Sequence, residues 1–202
     1  MSKKLQKNEV SIGILSGGKS SRMDGIDKGL MSFYGKSVLS RIINLASNFS
    51  SDVFIVANNN LDKYKEIHPY VYTDILDSFQ GPLSGIYTAM SKCKNKNLII
   101  LPCDGPFIER EYFEILTNYK CQKAIQVIKT GDRLQPVYAR IDVALLENLE
   151  IFLQSGERKI DRWYNACDFD EICFDENTEM FLNINSKDDI KRNEQLIKKI
   201  YE

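Results

Sequence analysis

Histidine is almost missing from this chain: His68 stands alone among 202 residues. Cysteine occurs five times, at Cys93, Cys103, Cys121, Cys167 and Cys173, an odd count without a C-x-x-C pair. A zinc site and a disulfide framework therefore both lack their usual sequence basis. Cys103 reads as a small buried filler, a common role of free cysteine, and His68, just before Pro69, as a loop residue. An excess of charge is missing too. Lys and Arg number 27 against 28 Asp and Glu, for a net charge of −1. Lys3, Lys4 and Lys7 are too few for a polybasic arm, so no nucleic-acid partner is expected. No run approaches the roughly 18 apolar residues of a membrane span, and the opening MSKKLQKNEV has no signal-peptide core. These absences predict a cytoplasmic protein without a membrane partner. Repeats, linkers and low-complexity stretches are absent as well. The length suits a single domain over residues 1–202, able to bury roughly 70% of the surface its unfolded chain would expose.

What is present is concentrated between residues 10 and 36, VSIGILSGGKSSRMDGIDKGLMSFYGK. Val10, Ile12, Ile14 and Leu15 read as a short buried strand, and Ser16, Gly17, Gly18, Ser20 and Ser21 follow where a sheet would end. Glycines let the backbone fold tightly and turn its N–H groups toward an anion, while hydroxyls add donors. Lys19, Arg22 and Lys28 bring positive charge to the same rim, which is more than one phosphate needs and suits a triphosphate. The plainer alternative is a polar strand-to-helix turn with solvated lysines. Gly13, Gly18, Lys19 and Ser20 also match the G-x-x-x-x-G-K-S spacing of a P-loop. A P-loop, however, needs its first glycine at the strand end and a continuous helix opening at its lysine. Gly13 lies inside the apolar run, and Asp24-Gly25 interrupts soon after Lys19. A long non-helical loop is predicted instead, with Lys28 as its functional cation.

Farther along, helical and strand-like segments alternate: helix near 37–49, strand 52–57, helix near 61–67, strand near 70–73, helix 82–93, strand 97–101, helix 109–118 and strand 123–128. Such alternation implies right-handed crossovers and a mainly parallel sheet covered on both faces. Ligands of these sheets bind outside the carboxyl ends of the strands, at a switch in strand order. That edge should gather Ala57-Asn58-Asn59, Thr73-Asp74 and Pro102-Cys103-Asp104 around the first loop. Asp104 is the metal candidate, because a strand-end carboxylate can reach phosphate-bound Mg²⁺. A turn or N-cap aspartate before Gly105-Pro106 is the competing reading. Gln80-Gly81-Pro82-Leu83-Ser84-Gly85 opens a helix with Pro82 as its first residue, and its glycines would let a purine lie close. A well-formed helix start would explain Pro82 equally. The second half predicts a strand over 133–139, a helix over 143–153, a turn at 156–159 into a helix bearing Trp163, a strand over 181–185, and a capped terminal helix after Ser186.

LSGGKSSRMDGIDKGL resembles the L-A-G-G-x-S-x-R-M-G-x-D-K signature of the nucleotidyltransferases with a glycosyltransferase-A-like Rossmann fold, most closely the molybdenum cofactor guanylyltransferases. Ser16 stands where alanine is usual, and Asp24-Gly25-Ile26 is one residue longer than the commonest spacing. The P-C-D-x-P and G-P-L-x-G strings, and the segments resembling H-P-x-x-x, G-x-R-x-x-x-W and F-x-N-I-N-T-x-x-D, extend the similarity over nearly the whole chain, although Gln135 replaces the usual histidine. The resemblance implies an α/β, Rossmann-like three-layer sandwich with a mainly parallel central sheet, nucleotide-diphospho-sugar-transferase-like, with a nucleotide-binding half over about 8–106 and an acceptor half over about 107–202. It implies transfer of GMP from GTP to molybdenum-loaded molybdopterin with Mg²⁺ as cofactor, and proteins that deliver the pterin as partners. Arg22, Lys28 and Asp104 are the implied catalytic residues and Asp104 the metal ligand. Leu15, Ser16, Gly17, Gly18, Lys28, Asp74, Gly81, Pro82, Leu83, Gly85 and Asp104 form the implied nucleotide site. Arg158 and Lys159 either meet an anionic acceptor or are surface charge. Guanine as the base rests on the resemblance. A cytidylyltransferase acting on the same pterin or a sugar phosphate, a P-loop GTPase or ATPase, and a non-catalytic GTP-binding adaptor stay open as alternatives.

Overall fold

The structure, a computed structural model, describes residues 5–16, 22–23, 26–76, 81–120, 122–175 and 178–202, with main chain only at 22, 23 and 26. In chain order the strands are β1 (Val10–Ser16), β2 (Arg22–Met23), β3 (Ile26–Asp27), β4 (Ser32–Phe33), β5 (Lys36–Ser37), β6 (Asp52–Ala57), β7 (Val71–Tyr72), β8 (Asn97–Pro102), β9 (Ile125–Thr130), β10 (Arg133–Asp142) and β11 (Asp170–Cys173). The helices are α1 (Val38–Ala46), α2 (Leu61–Ile67), α3 (Pro82–Lys92), α4 (Arg110–Asn118), α5 (Leu146–Gln154), α6 (Ile160–Cys167), α7 (Lys187–Arg192) and α8 (Glu194–Tyr201). None of the described helices is long and apolar enough to cross a membrane.

One seven-stranded sheet runs in the order β11-β9-β10-β8-β1-β6-β7. Strands β8, β1, β6 and β7 are mutually parallel, while β10 runs antiparallel to β8 and β9. Alternating side chains of these strands feed two cores, which is what a sheet buried on both faces requires. Ile12, Ile14, Ile55 and Ile99 join residues of α1, α4 and α8 on one face; Phe54, Val56, Leu98 and Ile100 join α3, α5 and α6 on the other. Helix α1 shows how the sequence specifies such a layer. Val38, Leu39, Ile42, Ile43 and Ala46 form its buried stripe, and the Ser37 hydroxyl caps its start by accepting from the Ser40 N–H.

Gly13 pairs with Phe54 on β6 and Ile100 on β8, in the middle of β1. A Cβ there would come within 3.2 Å of the Ala89 Cβ and the Phe54 ring. Its smallness thus lets α3 lie close on the sheet and has no part in a phosphate loop. After the undescribed residues 17–21 the chain enters β2, which pairs antiparallel with β3. A P-loop would continue as a helix beyond its lysine, whereas the described chain at Arg22–Met23 is a strand, which counts against the P-loop reading.

The second half of the chain departs from the expected elements. Residues 181–185 are not a strand: a 3-10 turn spans Thr178–Phe181 and the rest is irregular. Phe181 and Ile184 are buried while Leu182, Asn183 and Asn185 are exposed, a spacing of three that does not fit the period-2 alternation of a strand. The segment instead rides past the carboxyl end of β8, where the Ile184 N–H donates to the Asp104 carbonyl at 3.4 Å. The edge strand β11 was not predicted; it is four residues long and pairs with β9. The late strand also runs longer than expected, to Asp142, with a register irregularity between Gln135 and Ala139.

Arg140 ties the antiparallel strand to a helix end. Buried in β10, its guanidinium donates to Gln126 Oε1 at 2.7 Å, the Leu116 carbonyl at 2.5 Å and the Tyr119 carbonyl at 3.4 Å. The last two acceptors lie at the end of α4, where orphan carbonyls and the helix dipole favour a cation. Burial lowers its pKa to about 10, so it stays charged at neutral pH. Arg140→Met should keep the apolar stem and strand the acceptors, costing about 2–4 kcal/mol. That corresponds to a fall of roughly 5–15 °C in melting temperature. A melting curve that moves by less than about 2 °C would show that water replaces the guanidinium without loss.

Candidate active site

Strand order turns at β1: the chain proceeds from it to β6 and β7 on one side, then crosses to β8 on the other. Because these strands are parallel, their carboxyl ends share an edge, and a crevice opens at such a switch. Ser16, Ala57, Tyr72 and Pro102 close the four strands there. The Cys103 N–H continues the ladder by donating to the Leu15 carbonyl at 3.0 Å, which fixes where Asp104 leaves the sheet.

Lys28 opens a single 3-10 turn, Lys28–Leu30, immediately after β3. Asp27 caps this turn, its Oδ1 accepting from the Gly29 N–H at 3.1 Å. The lysine is only 5% exposed, and a buried ammonium is costly unless polar groups surround it. Its Nζ donates to Asn185 Oδ1 at 2.5 Å and lies 3.8 Å from Asp104 Oδ2. Burial raises the Asp104 carboxyl above its ordinary pKa, with Lys28 pulling in the opposite direction. The structure therefore brings Lys28 and Asp104 together, while Gly17, Gly18, Lys19 and the Arg22 side chain lie outside the described residues. Asn185 was not predicted as a member of this cluster. It is 157 residues from Lys28 in sequence, and its only signal was the asparagine of the Phe181–Asn185 segment, read there as a strand.

Cys103 is buried beside this pair, and burial together with the Asp104 charge pushes its thiol up to about 12. A thiol so rarely ionised is a filler and not a nucleophile. His68 caps the end of α2, its Nε2 within hydrogen-bond distance of the Val53 carbonyl at 2.8 Å, away from the strand-end edge.

On the other side of β1, Asn58 clasps Asp74 twice: its Nδ2 donates to Asp74 Oδ2 at 2.7 Å, and its Oδ1 accepts from the Asp74 N–H at 2.9 Å. The remaining carboxylate oxygen, Asp74 Oδ1, is buried without a hydrogen-bond partner among the described residues. A Cβ at Gly85 would sit 3.9 Å from that oxygen and 3.7 Å from Leu15 Cδ2, so Leu15, Asp74 and Gly85 border one narrow slot. Gly81 precedes α3 at φ +115°, a conformation natural to glycine, and Pro82 follows as the first helical residue. Leu83 points into the core below α3. Arg158 donates to the Leu153 carbonyl at 2.8 Å, near the end of α5, and to its neighbour Glu157.

Among the described residues no three His, Cys, Asp or Glu side chains converge as a metal cage. Asp104 offers one carboxylate. Mg²⁺ commonly takes one or two protein carboxylates and fills its octahedron with phosphate oxygens and water, so this donor set fits a cation that arrives with a nucleotide.

Gly29 is the residue with least room. A Cβ would overlap the Tyr64 hydroxyl and stand 2.9 Å from Ser16 Oγ and 3.0 Å from Cys103 Sγ. The Tyr64 ring is fully buried, so it cannot swing aside. Gly29→Ala should destabilise the protein by about 1–3 kcal/mol and displace the neighbouring Lys28. A thermal melt paired with a nucleotide titration tests both effects, and unchanged values in both would mean that the turn has slack.

The MobA-like NTP transferase domain matches residues 12–168. A molybdenum cofactor guanylyltransferase of Shewanella sp. (strain MR-4) is 34% identical over 186 residues, covering 91% of this chain and 94% of the relative. Among solved structures, a protein from Aquifex aeolicus VF5 superposes with a TM-score of 0.74 at 29% identity, covering 91% of this chain and 96% of that one. The molybdopterin-guanine dinucleotide biosynthesis protein A of Archaeoglobus fulgidus superposes with a TM-score of 0.76 at 24% identity, covering 94% and 99%, and speaks for the fold. With its site at the strand switch and a family match over most of its length, the chain is a nucleotidyltransferase and belongs to the MobA-like NTP transferase family.

Proposed function

We propose that this nucleotidyltransferase moves GMP from GTP to the terminal phosphate of molybdenum-loaded molybdopterin, releasing pyrophosphate. The observation that carries the reading is the buried Lys28 ammonium 3.8 Å from the Asp104 carboxylate at the carboxyl edge of the sheet. The acceptor and the base come from likeness to the curated guanylyltransferases. An acceptor phosphate oxygen attacks the α-phosphorus of GTP, and the bond to the bridging oxygen of the β-phosphate breaks with its electron pair going to pyrophosphate. The attacking oxygen is already ionised near neutral pH, so no general base is needed and positioning with charge neutralisation dominates. Lys28 is held where it can meet charge developing on the leaving group, and Arg22 with the N–H groups of Gly17 and Gly18 is assigned to the same phosphates. Mg²⁺, when bound through Asp104, supplies further neutralisation of triphosphate oxygens. The unpaired Asp74 Oδ1 is an acceptor for a nucleotide donor, of which the ribose hydroxyls and the N1–H and N2 amino group of guanine are candidates.

Incubation with labelled GTP, Mg²⁺ and molybdenum-loaded pterin should yield pyrophosphate and a guanine dinucleotide, with CTP a poor competitor. Inorganic phosphate as product would point to an NTPase. Better use of CTP would point to a cytidylyltransferase, and nucleotide binding without turnover to an adaptor.

A further inference from the structure

Lys28 owes its position to a capped turn, and the cap itself is held by groups that belong to no phosphate loop. Asp27 accepts three hydrogen bonds. Gly29 N–H donates to its Oδ1 at 3.1 Å, the Tyr64 hydroxyl to its Oδ1 at 2.8 Å, and Asn60 Nδ2 to its Oδ2 at 2.9 Å. Tyr64 and Asn60 both come from the start of α2, where Tyr64 is the helix's only buried residue. Asn60 adopts a left-handed conformation at φ +51°, uncommon outside glycine and tolerated by asparagine. The Tyr64 hydroxyl is also bonded to Ser16 Oγ, at the end of β1.

The proton inventory fixes the direction of this chain. A phenol has one hydrogen, and an ionised Asp27 can only accept, so the Tyr64 hydrogen goes to Asp27. The Ser16 hydroxyl must then donate to the Tyr64 oxygen. Ser16 Oγ is thereby turned inward, beneath Gly29. We propose that Tyr64 is a positioning residue for Lys28, acting through Asp27 with Ser16 as the donor that completes the relay. Burial raises the Tyr64 phenol far above its ordinary range, so the hydroxyl keeps its proton at neutral pH. Buried hydrogen-bond chains of this kind rigidify what they hold. The consequence for function is that an element outside the first loop, the N-terminal turn of α2, sets where the catalytic ammonium sits. The inference rests on the guanylyltransferase reading only for the name of the reaction that Lys28 serves.

Tyr64→Phe keeps the ring in the core and removes the donor to Asp27. It also takes from the buried Ser16 hydroxyl its Tyr64 acceptor, leaving the Cys103 thiol as its remaining partner, which lowers stability by itself. Tyr64→Phe combined with Ser16→Ala removes that hydroxyl. The expected result is a loss of about tenfold in kcat/KM for Tyr64→Phe, a lowered melting temperature that recovers in the double variant, and activity that does not recover with it. In a Lys28→Ala background, Tyr64→Phe should change kcat/KM by less than about twofold, because the residue through which it acts is gone. The same cycle read on the dissociation constant for GTP is independent of the acceptor. It therefore tests the relay even where wild-type protein forms no dinucleotide, an outcome that would count against the proposed reaction alone. Activity and GTP affinity that return with stability in the double variant, a full effect of Tyr64→Phe without Lys28, or wild-type values in Tyr64→Phe would each overturn the positioning role.

Discussion

Asp104→Ala is expected to reduce turnover by on the order of a hundredfold or more without lowering the melting temperature. Charge stabilisation through a metal-holding carboxylate contributes several kcal/mol to a phosphoryl-type transition state, and about 2.7 kcal/mol already corresponds to two orders of magnitude. The stability half of the prediction follows from the direction of the Asp104 shift. Burial raises its folded-state pKa more than Lys28, 3.8 Å away, pulls it down. A group whose pKa rises on folding contributes stability that is fully present below its unfolded value, about 3.9 for aspartate, and is lost as pH climbs through the folded value. At neutral pH, then, the ionised Asp104 opposes folding of the nucleotide-free protein. Asp104→Asn, which keeps the shape and removes the charge, should melt at or above the wild type at pH 7, and the gap should close as pH falls toward about 4. The site's chemistry and the fold's stability thus pull on this residue in opposite senses. Turnover within a few fold of wild type would place the metal elsewhere, and an Asp104→Asn protein that melts well below wild type at pH 7 would show the Lys28 pair to be net stabilising.

How much of this site could be read beforehand depended on whether its determinants are local. The strand-end positions of Asp74 and Asp104 followed from apolar runs and their breaks, because a parallel sheet sends all its carboxyl ends to one edge. Gly13 was legible for the same reason: a glycine flanked by Ile12 and Ile14 belongs to the strand, and the structure pairs it on both sides. Asn185 was not legible. Its partner is 157 residues away, and no periodicity reports a contact at that distance. Tyr64 was hidden differently. In LDKYKEI it reads as one more apolar position of a short helix, and only the packing shows that its hydroxyl reaches Ser16 and Asp27. The segment 181–185 misled because Phe181, Leu182 and Ile184 are apolar as in a strand, yet it pairs with no described strand and buries only Phe181 and Ile184, and β11 escaped because four residues at a sheet edge carry little pattern.

The sharpest contrast available is between the two lysines of the opening stretch. Under a P-loop, Lys19 would hold the β- and γ-phosphates and Lys28 would be an ordinary loop residue. The structure places Lys28 in a capped turn, almost wholly buried, with its ammonium on Asn185 and facing Asp104. Lys19 lies among the residues not described, between the end of β1 and β2, and the next described residues, Arg22–Met23, are a strand and not the helix of a P-loop. A pre-placed cation meeting phosphate charge in the transition state should contribute about 2–4 kcal/mol, whereas trimming a solvated lysine should cost well under about 1 kcal/mol. Lys28→Ala is therefore expected to lose roughly two orders of magnitude in kcat/KM, and Lys19→Ala less than about tenfold. Because Lys28 is buried, its alanine variant must be checked by a thermal melt, and Lys28→Met, which fills the same space without charge, should show the same kinetic loss with a smaller change in stability. Steady-state pyrophosphate release measured on all three variants decides the matter. A larger loss for Lys19→Ala than for either Lys28 variant would overturn the assignment of Lys28 as the cation that meets the triphosphate.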